Sequence, residues 1–167
     1  KLQAVRGAAD WYHPGRSAKL QLGPKAVLAE FGELHPRVAK QFGLKGRVAV
    51  AEIHLDALPK SKAKRARPPY APSALQPVTR DFAFLIDADV AAADLTRACA
   101  SADKKIITGV RLFDRFEGEG VPDGKVSVAL RAVLQPQVAS FTDDEIAAVS
   151  AKIVAAAEKA VGAELRG

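Results

Sequence analysis

The sequence predicts an α+β fold, and its longer C-terminal part follows the order strand–helix–strand–strand–helix–strand. Three observations carry that expectation. Four prolines from Pro68 to Pro77 cannot sit inside a helix or a central strand, so they divide the chain into two unequal parts. Beyond them, runs rich in Phe, Val and Ile alternate with two alanine-rich stretches of helical period. Thr142, with Glu145 three residues on, makes a capping box that opens the second of those helices.

In chain order, Val78 to Ile86 reads as the first strand. Asp87 and Asp89 then precede a helix whose apolar positions are Ala91, Leu95, Ala98, Cys99 and Ala102. Ile106 to Phe116 is a second strand, Glu117 to Gly124 a turn-forming cluster, and Lys125 to Leu134 a third strand. The helix that begins at Thr142 carries the stripe Ile146, Val149, Ile153, Ala157 and Ala160, and Gly162 is placed to stop it. Glu164-Leu165-Arg166 remains as a short last strand. A split βαβ order of this kind builds a four-stranded antiparallel sheet with both helices on one face.

The shorter N-terminal part is expected to be mainly antiparallel β. Leu20 to Leu22, Val27 to Phe31 and Val48 to Leu55 read as strands, with a short helix from His35 to Gly43 between the last two. Its histidines do not read as metal ligands. His13 precedes Pro14-Gly15 and His35 precedes Pro36, positions at element ends with backbone-bonding roles, and their separation fits no metal-binding spacing.

Composition sets outer limits. Apolar residues at 49% and charged residues at 26% describe a globular chain, not a disordered one. No apolar run approaches the ~18 residues of a membrane helix, and the first residues lack a secretory core, so a cytoplasmic location is expected. A lone cysteine, Cys99, cannot form an intramolecular disulfide and falls on a buried helical stripe. Methionine is absent from all 167 residues, which suggests a piece cut from a longer protein. The net charge of +6 is uneven: residues 1–77 hold 14 basic against 5 acidic groups, and residues 78–167 hold 11 against 14. The densest basic run, Lys60 to Arg67, leads into the prolines, and the whole stretch is expected to be an extended connector.

An antiparallel sheet with helices on one side leaves the other side open. On the third strand Val126, Val128, Leu130 and Leu134 share one side and belong against the helices. Ser127, Ala129, Arg131 and Gln135 share the other, and on the second strand Asp114 and Phe116 also point the same way as each other. A sheet face carrying an aromatic ring, a carboxylate, a hydroxyl and an arginine has the chemistry with which RNA-binding sheets stack and read unpaired bases. The acidic turn Glu117 to Asp123 lacks the regular carboxylate spacing of a calcium loop and reads as a solvated hairpin.

Several motifs, taken in order, resemble one family. Arg80-Asp81-Phe82-Ala83, Leu112-Phe113-Asp114 with Phe116 and Gly118, Gly124-Lys125-x-Ser127, Phe141 to Ile146 and Gly162 to Arg166 resemble the ferredoxin-fold anticodon-binding domain of the bacterial phenylalanyl-tRNA synthetase β subunit. Tyr12-His13-Pro14-Gly15-Arg16-Ser17-Ala18 and Gly32-Glu33-Leu34-His35-Pro36 resemble the end of that subunit's class II synthetase-like, non-catalytic core. The resemblance implies three regions: 1–58 as core tail, 59–73 as a basic, proline-rich linker, and 74–167 as a ferredoxin-like anticodon-binding domain.

It also implies a function. The holoenzyme would be a heterotetramer of two α and two β subunits that joins phenylalanine to tRNA(Phe) using ATP and Mg²⁺, with the amino acid activated in the α subunit. No cofactor, metal or catalytic residue is expected in this chain. The residues expected to read guanine 34 are Asp114, Phe116 and Ser127, with Arg131 and Arg115 as further candidates. A carboxylate can accept from the guanine N1–H and N2–H₂ edge, a ring can stack, and a hydroxyl can donate or accept. At the aromatic position tyrosine is common in the family, so Phe116 keeps the ring and loses the hydroxyl. The competing reading is a stand-alone ferredoxin-like interaction or ligand-sensing module with no nucleic-acid partner. Such a module would need a pocket or a pairing edge, and it would not need Asp114, Phe116 and Ser127 together.

Overall fold

A computed structural model describes residues 2–60 and 72–166. The chain divides into two compact units, Lys1–Pro68 and Pro69–Gly167. Most of the expected connector, residues 61–71, lies outside the described residues.

Unit 1 is a four-stranded antiparallel sheet of β1 (Leu2–Arg6), β2 (Tyr12–Leu22), β3 (Ala26–Leu34) and β4 (Ala49–Ile53), in that spatial order. Helix α1 (Pro36–Gln41) lies between β3 and β4 in sequence, and a single 3₁₀ turn follows at Leu55–Ala57. Three expectations change here. Leu2–Arg6 is a strand that the sequence does not announce, since all five residues are exposed and show no buried stripe. The final strand stops at Ile53, and Leu55 belongs to the 3₁₀ turn.

The second strand also runs straight through Pro14-Gly15, which was expected to end an element. It does so by dropping out of register between Tyr12 and Ser17, where proline has no N–H to give. The partner strand is shaped to match. A side chain on Gly32 would stand 2.4 Å from the Arg16 carbonyl oxygen and 2.6 Å from the Ser17 Cα, so only glycine lets the two backbones approach. Tyr12 is buried there, and its hydroxyl donates to the Glu30 carbonyl at 3.2 Å.

Unit 2 has the expected order: β5 (Val78–Asp87), α2 (Ala92–Ser101), β6 (Ile107–Phe116), β7 (Lys125–Leu134), α3 (Asp143–Val161) and β8 (Glu164–Leu165). The sheet runs β6-β7-β5-β8 and all its pairs are antiparallel. Its core joins Phe82, Phe84 and Ile86 of β5, and Val126, Val128, Leu130 and Leu134 of β7, to Leu95 and Cys99 of α2 and Val149, Ile153 and Ala157 of α3. Full burial of side chains such as Phe84 and Ile153 contributes about 1.5–3 kcal/mol each. Helix α3 opens with both bonds of the capping box and closes at Gly162 in the left-handed conformation, φ 64°. Its stripe follows the expected positions through Ala157. Ala160 is exposed, and the half-buried Val161 continues the contact instead.

Candidate nucleic-acid interface

Strand β7 fixes the geometry of the open face because it is central and strictly alternating. Val126, Val128, Leu130, Ala132 and Leu134 are buried beneath the helices, which turns Lys125, Ser127, Ala129, Arg131 and Val133 to the other side. Pairing with β5 sets Leu85 opposite Ser127, Ala83 opposite Ala129 and Asp81 opposite Arg131.

Strand β6 supplies the rest through a bulge. Leu112 pairs with Leu130 on the helix side, but the next pair is Asp114 with Ala129, leaving Phe113 as an extra residue. Strict alternation from Leu112 would send Asp114 and Phe116 towards the helices. The inserted residue reverses the phase, so both reach the open face, with Phe116 directly opposite Ser127. Directly opposed residues have Cβ atoms about 4.5–5.5 Å apart, and diagonal neighbours such as Asp114 and Ser127 about 7–8 Å.

Phe116 is 45% exposed, and its ring lies against Gly118, where an added Cβ would stand 3.0 Å from the ring's Cζ. Ser127 is only 8% exposed and makes no side-chain hydrogen bond among the described residues. No polar side-chain atom sealed from solvent among them lacks a partner, so the Ser127 hydroxyl keeps an opening to the face. Asp114 is exposed and accepts no hydrogen bond from the described residues, so its carboxylate is available. Between these groups and the Asp81–Arg131 row, the floor is made of Ala83 and Ala129, the shortest side chains on the face.

The two further arginines fall differently. Arg131 stays on the face but is engaged: its Nε and Nη2 donate to the Asp81 carboxylate at 2.7 and 2.6 Å. That bidentate bond holds the Asp81 carboxyl below its ordinary range and raises Arg131. Arg115 pairs in register with Val128, on the helix side at the sheet edge, and forms an ion pair with Glu117. The structure therefore brings Asp114, Phe116, Ser127 and Arg131 to one face and leaves Arg115 off it.

Sequence reasoning missed Phe113. It is 49% exposed, and the Arg131 guanidinium carbon lies 5.4 Å from its ring centroid, so it too is on the open face. A signal was present: Val110 and Leu112 turn inward two residues apart, and a second apolar residue follows at once in Phe113.

The residues set aside in unit 1 are occupied structurally. Arg16 Nη1 binds both Glu33 carboxylate oxygens at 3.1 and 3.0 Å. The Nδ1 atoms of His13 and His35 accept from the N–H groups of Gly15 and Arg37, each at 3.1 Å. A cleft of about 630 Å³ lies beside Tyr12, Ser17, His35 and Arg37. Among the described residues no three His, Cys, Asp or Glu side chains gather closely enough to hold a metal ion.

A family model described as the ferredoxin-fold anticodon binding domain matches residues 73–166, which is all of the described sheet and both helices of unit 2. The chain belongs to that family. Its βαββαβ order of elements agrees with the ferredoxin fold in that family's description. A second model, described as the phenylalanyl tRNA synthetase beta chain CLM domain, matches residues 1–55 in unit 1. Among curated relatives, proteins named phenylalanine–tRNA ligase beta subunit are 54% identical in Zymomonas mobilis, 53% in Novosphingobium aromaticivorans and 48% in Bradyrhizobium diazoefficiens. Each alignment covers 99% of this chain and 21% of the relative, so the chain spans about a fifth of their length.

Proposed function

We propose that this chain is the anticodon-reading end of a phenylalanine–tRNA ligase β subunit, and that the open face of unit 2 receives guanine 34 of tRNA(Phe). The observation that carries the reading is the β6 bulge, which turns Asp114 and Phe116 onto the same face as Ser127. The bound base would stack on the Phe116 ring above the alanine floor. Its N1–H and N2–H₂ would donate to the free Asp114 carboxylate, and the Ser127 hydroxyl would bond a further polar edge atom. An adenine offers no such pair of donors to the carboxylate, which gives the site its preference. The mildly acidic balance of residues 78–167 leaves recognition to these placed groups and not to bulk charge.

In this reading the holoenzyme is a cytoplasmic heterotetramer of two α and two β subunits. ATP and Mg²⁺ serve amino-acid activation in the α subunit, and this chain contributes binding and orientation of the tRNA. Unit 1 would be the last part of the β subunit's synthetase-like core, joined through the basic linker to the anticodon-binding domain. No helix among the described residues is long and apolar enough to cross a membrane. The reading is tested by titrating the chain with a labelled tRNA(Phe) anticodon stem-loop. Phe116→Ala should weaken binding by the ~1–3 kcal/mol of a base–aromatic stack. Equal affinity for both proteins would refute it.

A further inference from the structure

The three base-reading residues leave a second aromatic on the face without a role. Phe113 is the residue inserted by the bulge, and its ring is 49% exposed on the open face. It does not stand by itself. The Arg131 guanidinium lies 5.4 Å from its centroid, within the ~6 Å range of a cation–π contact, and Asp81 holds that guanidinium by two hydrogen bonds. With its charge answered and its plane fixed, Arg131 is a poor phosphate ligand and a good flat surface. Arg111 stands opposite Arg131 in the β6–β7 register and has no acidic partner among the described residues. Along β6 the outward groups therefore run Arg111, Phe113, Asp114, Phe116: a free cation, a ring, the carboxylate, a ring.

Resting on the proposed anticodon reading, we propose that Phe113, with Arg131 pinned by Asp81, is a second stacking platform, and that it takes the unpaired base next to the guanine. Phe113 and Phe116 are three residues apart, which at strand rise is no more than about 10 Å. Sheets that bind single-stranded RNA stack two or three bases on aromatics of the sheet face. Arg111 then neutralises a phosphate beside the second base. Asp81 is a positioning residue: it touches no RNA and acts by holding the guanidinium plane.

The test uses the whole chain and the anticodon stem-loop carrying a fluorescent purine analogue at either neighbour of the guanine, where stacking quenches emission. Binding by the unsubstituted chain should quench one of the two labels. Phe113→Leu should abolish that quenching and weaken binding roughly 5- to 150-fold, while the preference for guanine over adenine is kept. A second variant leaves the bulge untouched: Asp81→Asn combined with Arg131→Gln keeps the net charge. It should also lose the quenching, with the dependence of log affinity on log salt unchanged. Arg111→Gln should instead reduce that slope by about 0.7, the value of one phosphate contact on single strands. The proposal is overturned if Phe113→Leu leaves the quenching intact or removes the guanine preference with it. It is also overturned if the double variant lowers the salt slope, which would make Arg131 a phosphate ligand. Guanine-selective binding with neither neighbour quenched would sink the second platform alone, whereas no binding at all by the unsubstituted chain would sink the anticodon reading with it.

Discussion

Gly118 gives a way to disturb the Phe116 ring, proposed to stack the base, without altering any group that would touch RNA. Its φ of +150° lies where side chains are strained, and an added Cβ would meet the Phe116 Cζ at 3.0 Å and both Cε atoms at 3.6 Å. The backbone strain is on the order of 1–3 kcal/mol. The ring must also move, because contacts that short require one partner to give way. Gly124 is the matched control: its φ is +78°, but nothing lies within 4 Å of an added Cβ. Gly118→Ala should lower unfolding free energy in urea by about 1–3 kcal/mol, and Gly124→Ala by about 1–2 kcal/mol, the left-handed penalty. Only Gly118→Ala should also weaken stem-loop binding, by up to the ~1–3 kcal/mol of one stack. Filter binding at fixed salt, with both proteins more than nine-tenths folded by circular dichroism, makes the comparison. Equal losses in the two variants, or none in Gly118→Ala, would refute the idea that this glycine seats the Phe116 ring.

Three further outcomes are expected. Thr142→Ala removes the side-chain half of the α3 capping box and should cost about 1 kcal/mol in urea unfolding, with RNA binding at saturating protein unchanged. Asp81 and Asp103 are held below the ordinary carboxylate range by hydrogen bonds from Arg131 and Lys152 respectively. Their stabilisation is therefore present above the unfolded value near pH 4 and is lost as pH falls through the lower folded values. The urea midpoint should drop across that acid window, and Asp81→Asn should make the drop shallower. Burial pushes the Cys99 thiol up to about 11, so a thiol reagent at pH 8 should fail to label the native chain and label it fully in urea.

The parts of this fold that announce themselves are those with a strong period or a strong cap. Ile146, Val149 and Ile153 mark the buried side of α3, and Thr142 and Glu145 mark its start. The alternation of Val126, Val128 and Leu130 fixes which side of β7 is open. What the sequence hides is phase. The bulge at Phe113 costs one residue and leaves composition unchanged, yet it decides whether Asp114 and Phe116 face the helices or the solvent. Arg115 is displaced by the same half-step, which takes it off the face that its neighbours occupy. In unit 1 the exposed β1 carries no burial pattern, and β2 continues past Pro14 because its partner yields at Gly32. Both depend on a neighbouring strand, which local sequence does not show.

Central to the proposed function is that Asp114 and Ser127 read a guanine edge, and base discrimination tests it most directly. The ratio of affinities for stem-loops with guanine or adenine at position 34 should be large for the unsubstituted chain. It should fall towards one in Asp114→Asn combined with Ser127→Ala, while the salt dependence of binding stays the same. An undiminished ratio in that double variant would contradict the assignment, even if both RNAs still bound.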